Sequence, residues 1–168
     1  MNIDKDIKYN VVNKKLIDII EKPKWTYTGN IASATLIPDT ITIYNDVNDK
    51  YFIILDAKYY NPLLEKGILP QRQPGIESIT KQYLYQLVYK ELIDDNNYKV
   101  KNVFIFPTEL NDIVDKSYVE MDMFTKGPYK LEPIFVKFIP AIESYDLYLQ
   151  NKKFEIKKVI VIENYYIY

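Results

Sequence analysis

The sequence predicts a single α/β domain, a mixed β-sheet with flanking helices. Three observations carry that expectation. Tyr51 to Lys58 is a nearly continuous apolar run of strand length, Ile76 to about Ile93 has helical periodicity, and Val103-Phe104-Ile105-Phe106 is a second apolar run stopped by Pro107. Strand, helix and strand in that order form a βαβ arrangement, for which parallel pairing and a right-handed crossover are expected. With 168 residues, 48% hydrophobic and 27% charged, residues 1–168 read as one domain able to bury a core.

The elements follow in order. Val11 to Ile20 places apolar side chains at 11, 12, 16, 17, 19 and 20, which predicts an amphipathic helix ending before Pro23. Trp25 to Pro38 passes a Gly29-Asn30 turn into an alternating, β-compatible stretch over Ile31–Ile37. A strand over Ile41 to Tyr44 follows the Pro38-Asp39 break, Asn45 to Lys50 is turn-rich, and Tyr51 to Lys58 is the central strand. Asn61 to Gly75 holds three prolines and two glycines with little periodicity, and reads as a loop able to approach a substrate. In the helix after it, Ile79, Tyr83, Leu84, Leu87 and Val88 line one face. Residues 117–124 and 131–139 are expected as further strands, antiparallel at the sheet edge. Asp146 to Asn151 is expected as a short helix, and Val159–Glu163 as a last strand.

Composition removes several chemistries. With no cysteine and no histidine, the chain has no disulfide, no Cys/His zinc site and no Ser-His or Cys nucleophile system. A metal would have to be held by carboxylates and carbonyls, which favours a hard ion such as Mg²⁺, with Mn²⁺ as a substitute. No apolar run approaches the roughly 18 residues that span a bilayer, and the start lacks the basic and apolar regions of a secretory signal, so cytoplasm is the expected location. The net charge is −1, from 22 basic and 23 acidic side chains, which argues against strong nucleic-acid affinity by the domain alone. The cluster Lys152, Lys153, Lys157 and Lys158 reads as a solvated face.

The chemistry-bearing residues are Pro38-Asp39 and, after one turn, Asp56-Ala57-Lys58. Side chains alternate along a strand, so Asp56 and Lys58 share a face while Ala57 turns away. An acid and a lysine at the end of an apolar strand cost several kcal/mol to bury unless they pair or bind a metal. A salt-bridged strand end is one reading. The other is a metal site for phosphodiester hydrolysis, with Asp39, Asp56 and the Ala57 carbonyl as oxygen ligands and Lys58 as the catalytic cation. Lys58 would orient or deprotonate a water, or stabilise the transition state. Glu21 is expected as a third acid, although a surface glutamate next to Lys22 and Lys24 fits its position equally well. Gln86, in Tyr85-Gln86-Leu87-Val88-Tyr89, occupies a buried-edge position of the helix that favours a polar role, and Glu77 with Lys81 fits a surface ion pair.

Ile37-Pro38-Asp39, Ile54-Leu55-Asp56-Ala57-Lys58-Tyr59-Tyr60 and the long stretch from Pro74-Gly75-Ile76-Glu77-Ser78 to Gln82-Tyr83-Leu84-Tyr85-Gln86-Leu87 resemble the LlaJI family of restriction endonucleases. That family is similar to McrC nuclease subunits and belongs to the PD-(D/E)xK superfamily. The resemblance runs from about Glu21 to Leu149, and the helix stretch is its most specific part. It implies a restriction-endonuclease-like fold and a Mg²⁺-dependent endonuclease making double-strand breaks in foreign double-stranded DNA. By the family pattern Asp39 and Asp56 would bind metal, Lys58 would be the catalytic lysine, and Gln86 would match a helix glutamine, with Tyr89 following at three rather than four residues. It further implies an McrB-like AAA+ GTPase partner, pairing of two copies for double-strand cutting, and a chain resembling a C-terminal catalytic domain. Two other readings stand beside it: a non-cleaving assembly or DNA-docking subunit, and a nuclease acting on RNA.

Overall fold

The computed structural model describes residues 8–9, 14–15, 19–25, 30–31 and 35–160. Two short antiparallel pairs come first: β1 (Lys8–Tyr9) with β2 (Lys14–Lys15), and β3 (Lys24–Trp25) with β4 (Asn30–Ile31). The helix expected over Val11 to Ile20 is therefore corrected at its described positions. Lys14–Lys15 is a strand, and residues 11–13 and 16–18 lie outside the described residues. The sequence of the stretch is rich in β-branched residues, which lose rotamer freedom in a helix.

The body of the fold is a five-stranded mixed sheet of order β5-β6-β7-β9-β8. Its strands are β5 (Thr40–Asn45), β6 (Lys50–Ala57), β7 (Lys99–Thr108), β8 (Val114–Val119) and β9 (Ile134–Pro140). β5 runs antiparallel to β6, β6 and β9 each run parallel to β7, and β8 closes the edge antiparallel to β9 with a register shift between Asp115 and Ser117. The expected parallel βαβ pairing is present: α1 (Ile76–Val88) and α2 (Lys90–Asp95) connect β6 to β7. The two helices join at Tyr89, which is buried.

Period-two alternation divides the core. On one face Phe52 and Ile54 meet Tyr85 and Tyr89, and Phe104, Phe106, Val136 and Phe138 pack with Tyr83. On the other face Ile53, Leu55, Val103 and Ile139 pack with Val159 and Ile160. Central strands buried on both faces explain why β6 and β7 read as continuous apolar runs.

Several boundaries differ from expectation: the β-compatible stretch over Ile31–Ile37 is not strand at residues 35–37, and the strand expected over 131–139 begins at Ile134. Residues 122–125 form α3 (Asp122–Thr125), which buries Phe124, so the expected 117–124 strand stops at Val119. The late helix is longer and earlier than expected, α4 (Ala141–Leu149). The expected strand Val159–Glu163 is helical where described, in α5 (Lys157–Ile160); residues 161–163 lie outside the described residues. There the Val159-Ile160 pair suggests a strand by propensity, but both side chains fill the second core face from a helical turn, and packing overrides propensity.

Candidate active site

The antiparallel register of β5 and β6 brings the two acids together. Thr40 stands opposite Leu55, so the next step of that register sets Asp39 opposite Asp56. Facing residues of an antiparallel pair hold their Cβ atoms about 4.5–5.5 Å apart, and like charges there repel. Asp39 is exposed and lies close enough to share a hydrogen bond with Asp56. Its approach is pinned: Pro38 is buried, and the Tyr85 hydroxyl donates to the Ile37 carbonyl at 3.0 Å. Burial pushes the Tyr85 hydroxyl's pKa up, and the Asp39 charge adds to the shift, so the group stays a donor.

Lys58 comes from the same strand end. Its backbone N–H donates to the Ile105 carbonyl at 2.8 Å, extending the β6–β7 pairing by one step. Its ammonium lies 2.7 Å from Asp56 Oδ2, 3.4 Å from Ser78 Oγ and 5.7 Å from the centre of the Phe104 ring. Both charged side chains are largely buried, with Asp56 13% and Lys58 19% exposed.

Desolvation is the first cause of the Asp56 shift, the hydrogen bond with Asp39 the second, and Lys58 opposes both; the carboxyl is pushed up to about 6. A lysine 2.7 Å away would by itself hold an aspartate down. Burial and a second carboxylate overcome it. A divalent cation between the two acids would relieve that repulsion, so the donor set fits a hard ion. Two carboxylates with the neighbouring Ala57 carbonyl are the kind of partial protein shell in which Mg²⁺ keeps several waters.

The other expected site residues lie elsewhere. The Glu21 side chain is exposed, and its backbone carbonyl accepts a hydrogen bond from Thr35 at 2.7 Å. No three acidic side chains gather into a metal-sized group among the described residues. Gln86 is buried, and its Oε1 accepts from Asn102 at 3.5 Å, at the level of Ile54 and one strand repeat before Asp56. Gln82, one turn nearer the site, donates to the Val103 carbonyl at 3.4 Å. Gln82 Oε1 and Asn102 Oδ1 are buried with no hydrogen-bond partner among the described residues. Glu77 and Lys81 form the exposed i,i+4 pair expected of them, at 2.6 Å.

Ser78 and Tyr85 are the residues the sequence did not single out. The available signal was topological. A helix that returns along β6 from its C-terminal end must bring its first turn beside Lys58 and its third beside the residues leading to Asp39.

A parallel-centred α/β sheet with opposed acids and a lysine at one strand end places the protein in the restriction-endonuclease-like class. The chain belongs to the LlaJI restriction endonuclease family, whose pattern matches residues 5–142. It is also similar to the type II restriction enzyme BsuMI component YdjA of Bacillus subtilis (strain 168), at 34% identity over 140 residues. That alignment covers 80% of this chain and 29% of YdjA, so the chain spans under a third of the relative's length. No solved structure matches significantly. Among the described residues no helix is long and apolar enough to cross a membrane.

Proposed function

We propose that this chain is the catalytic domain of a metal-dependent endonuclease of a restriction system, hydrolysing phosphodiester bonds in double-stranded DNA. The observation that carries the reading is the convergence of Asp39, Asp56 and Lys58 at one strand end, with Asp56 pushed up to about 6 by burial and by Asp39. Family membership supports the same reaction class.

Asp39, Asp56 and the Ala57 carbonyl would hold Mg²⁺ or Mn²⁺, with water supplying the ligand that Glu21 does not. When bound, the cation supplies charge neutralisation at the phosphate and a water of lowered pKa. The chain's own residues do the rest. Asp56 would hold the cation as a carboxylate, with its proton competing only below about pH 6, and Asp39 would be the second oxygen ligand across the strand pair. Lys58, steadied by Ser78, presents its ammonium to the developing negative charge or to the attacking water. Gln86 acts from a distance, holding Asn102 on β7, the strand that pairs with the one carrying Asp56.

A McrB-like AAA+ GTPase is the proposed partner, and double-strand cutting calls for two copies of the domain. The word "component" in the relative's name fits a system of several subunits. A second reading is a non-cleaving assembly or DNA-docking subunit, favoured by the net charge of −1. The test compares wild type with Asp56→Ala and Lys58→Ala on double-stranded DNA, single-stranded DNA and RNA, with Mg²⁺ and with or without the GTPase. Loss of duplex cleavage by about 10²–10⁴-fold in folded variants supports the nuclease. Cleavage unchanged in both variants refutes the site. Duplex binding without cleavage under every condition supports the second reading.

A further inference from the structure

We infer that the segment between Lys58 and Ser78 is a structured grip for double-stranded DNA beside the scissile phosphate; this rests on the endonuclease reading above. Both feet of the segment stand in the candidate site, since Lys58 and Ser78 touch through their side chains at 3.4 Å. A connection of this length with little regular structure is uncommon in a compact domain and is often functional.

The segment is tethered firmly. Pro62 and Pro74 are buried at its two ends. Leu63 and Gln71 exchange two backbone hydrogen bonds, at 3.0 and 3.2 Å, which close the loop like the mouth of a hairpin. Inward-facing anchors hold it down: the Tyr60 ring meets Phe106 edge-on with centroids 5.7 Å apart, and Leu64 packs on the cluster around Tyr83. A turn closed by the Ile68 N–H on the Glu65 carbonyl, with Gly67 at φ +82°, forms the tip.

Beyond those anchors the side chains point to solvent. Every residue from 65 to 73 is exposed. At the tip Leu69 is 85% and Ile68 48% exposed, and at the foot Tyr59 is 90% exposed. Lys66 and Arg72 flank the apolar tip, and no ion pair among the described residues engages either. Apolar side chains held out by a tethered loop, between Lys66 and Arg72, complement a groove of duplex DNA. The cations meet phosphates on the two sides, and the apolar tip enters between them against sugars and base edges. Lys66 and Arg72 outweigh Glu65, so the exposed stretch 65–73 carries a local charge of +1 within a chain whose net charge is −1.

The test is duplex binding by the full chain, read by fluorescence anisotropy across a salt series with Mg²⁺ omitted, alongside plasmid cutting with Mg²⁺. The paired variant K66E/R72E is expected to weaken binding and to lower the slope of log affinity against log salt by about 2. The paired variant I68S/L69S is expected to weaken binding about tenfold with the salt slope unchanged. All four positions are exposed, and a thermal melt checks that both variants fold. Wild-type affinity in both variants, with cutting intact, overturns the grip and leaves the nuclease standing. A shift in sedimentation of the loop variants with DNA binding unchanged also overturns it, by assigning the tip to a protein contact. A wild-type chain that neither binds nor cuts duplex with Mn²⁺ and the GTPase partner both present removes the endonuclease reading and the grip with it.

Discussion

Two aspartate–lysine pairs of equal length mark the two ends of strand β6. Asp49 and Lys99 meet at 2.7 Å just before its start, and Asp56 and Lys58 meet at 2.7 Å at its finish. At the first pair the Lys99 hydrogen bond pulls the Asp49 carboxyl below its ordinary value of 3.8, while at the second Asp56 is pushed up to about 6. Distance does not separate them. Lys99 and Asp49 are 61% and 31% exposed, so water screens the pair, and the Tyr51 hydroxyl, donating to Asp49 at 3.2 Å, favours the carboxylate further. Asp56 is enclosed by the sheet and α1 and faces a second carboxylate. An ion pair thus becomes a candidate site when burial and a like charge raise the cost of ionisation above what its partner recovers.

Breaking each pair tests that contrast, and catalysis should show the largest effect. Removal of the Asp56 carboxylate lowers Mg²⁺-dependent duplex cleavage by about 10²–10⁴-fold, whereas Asp49→Ala and Lys99→Ala change it less than about twofold. Initial rates on a plasmid substrate read both. Equal losses at the two ends would mean that the pairs differ in exposure only.

Stability should respond with opposite signs. Asp56 binds its proton more tightly folded than unfolded, because its folded value of about 6 exceeds 3.8. Its contribution to stability is therefore fully present below about pH 4 and is lost as pH rises through about 6. Asp56→Asn should stabilise the metal-free protein by roughly 1–3 kcal/mol at pH 8 and by almost nothing at pH 4. Asp49 has a lowered value, so its contribution is present above its unfolded value and is lost on acidification. Asp49→Asn should be neutral or slightly destabilising at pH 8. Denaturant melts at the two pH values compare the signs directly.

A smaller effect is expected at Tyr85. Tyr85→Phe removes the 3.0 Å hydrogen bond to the Ile37 carbonyl and so loosens the approach to Asp39. A loss of about 1 kcal/mol in stability is expected, with weaker Mn²⁺ binding. A melt and a Mn²⁺ titration separate the two consequences; reduced stability with unchanged Mn²⁺ affinity would make Tyr85 a core residue only.

Much of this contrast was legible in the sequence, for identifiable reasons. β6 and β7 announced themselves because strands buried on both faces leave no polar interruption, and the Pro38-Asp39 break followed by Asp56-Ala57-Lys58 placed two acids and a lysine at strand ends. The parallel crossover followed from element order. What was hidden depended on tertiary contacts. Ser78 and Tyr85 acquire their roles only when α1 lies back along β6. Gln86 carried a helix motif, yet its register sets it against Asn102. The turn at Lys157–Ile160 is helical because Val159 and Ile160 close the second core face, while Lys157 and Lys158 pair outward with Asp46 and Glu143. The expectation that these two lysines lie on a solvated face holds for the same reason.

The central claim is that Asp39 and Asp56 form a divalent-cation site, and Mn²⁺ titration of the full chain tests it most directly. At pH 7.5 wild type and Asp49→Asn should each bind Mn²⁺, Asp56→Asn should not, and wild-type affinity should fall as pH drops below about 6, where the proton competes for Asp56. Equal Mn²⁺ binding by Asp56→Asn and wild type would contradict the account.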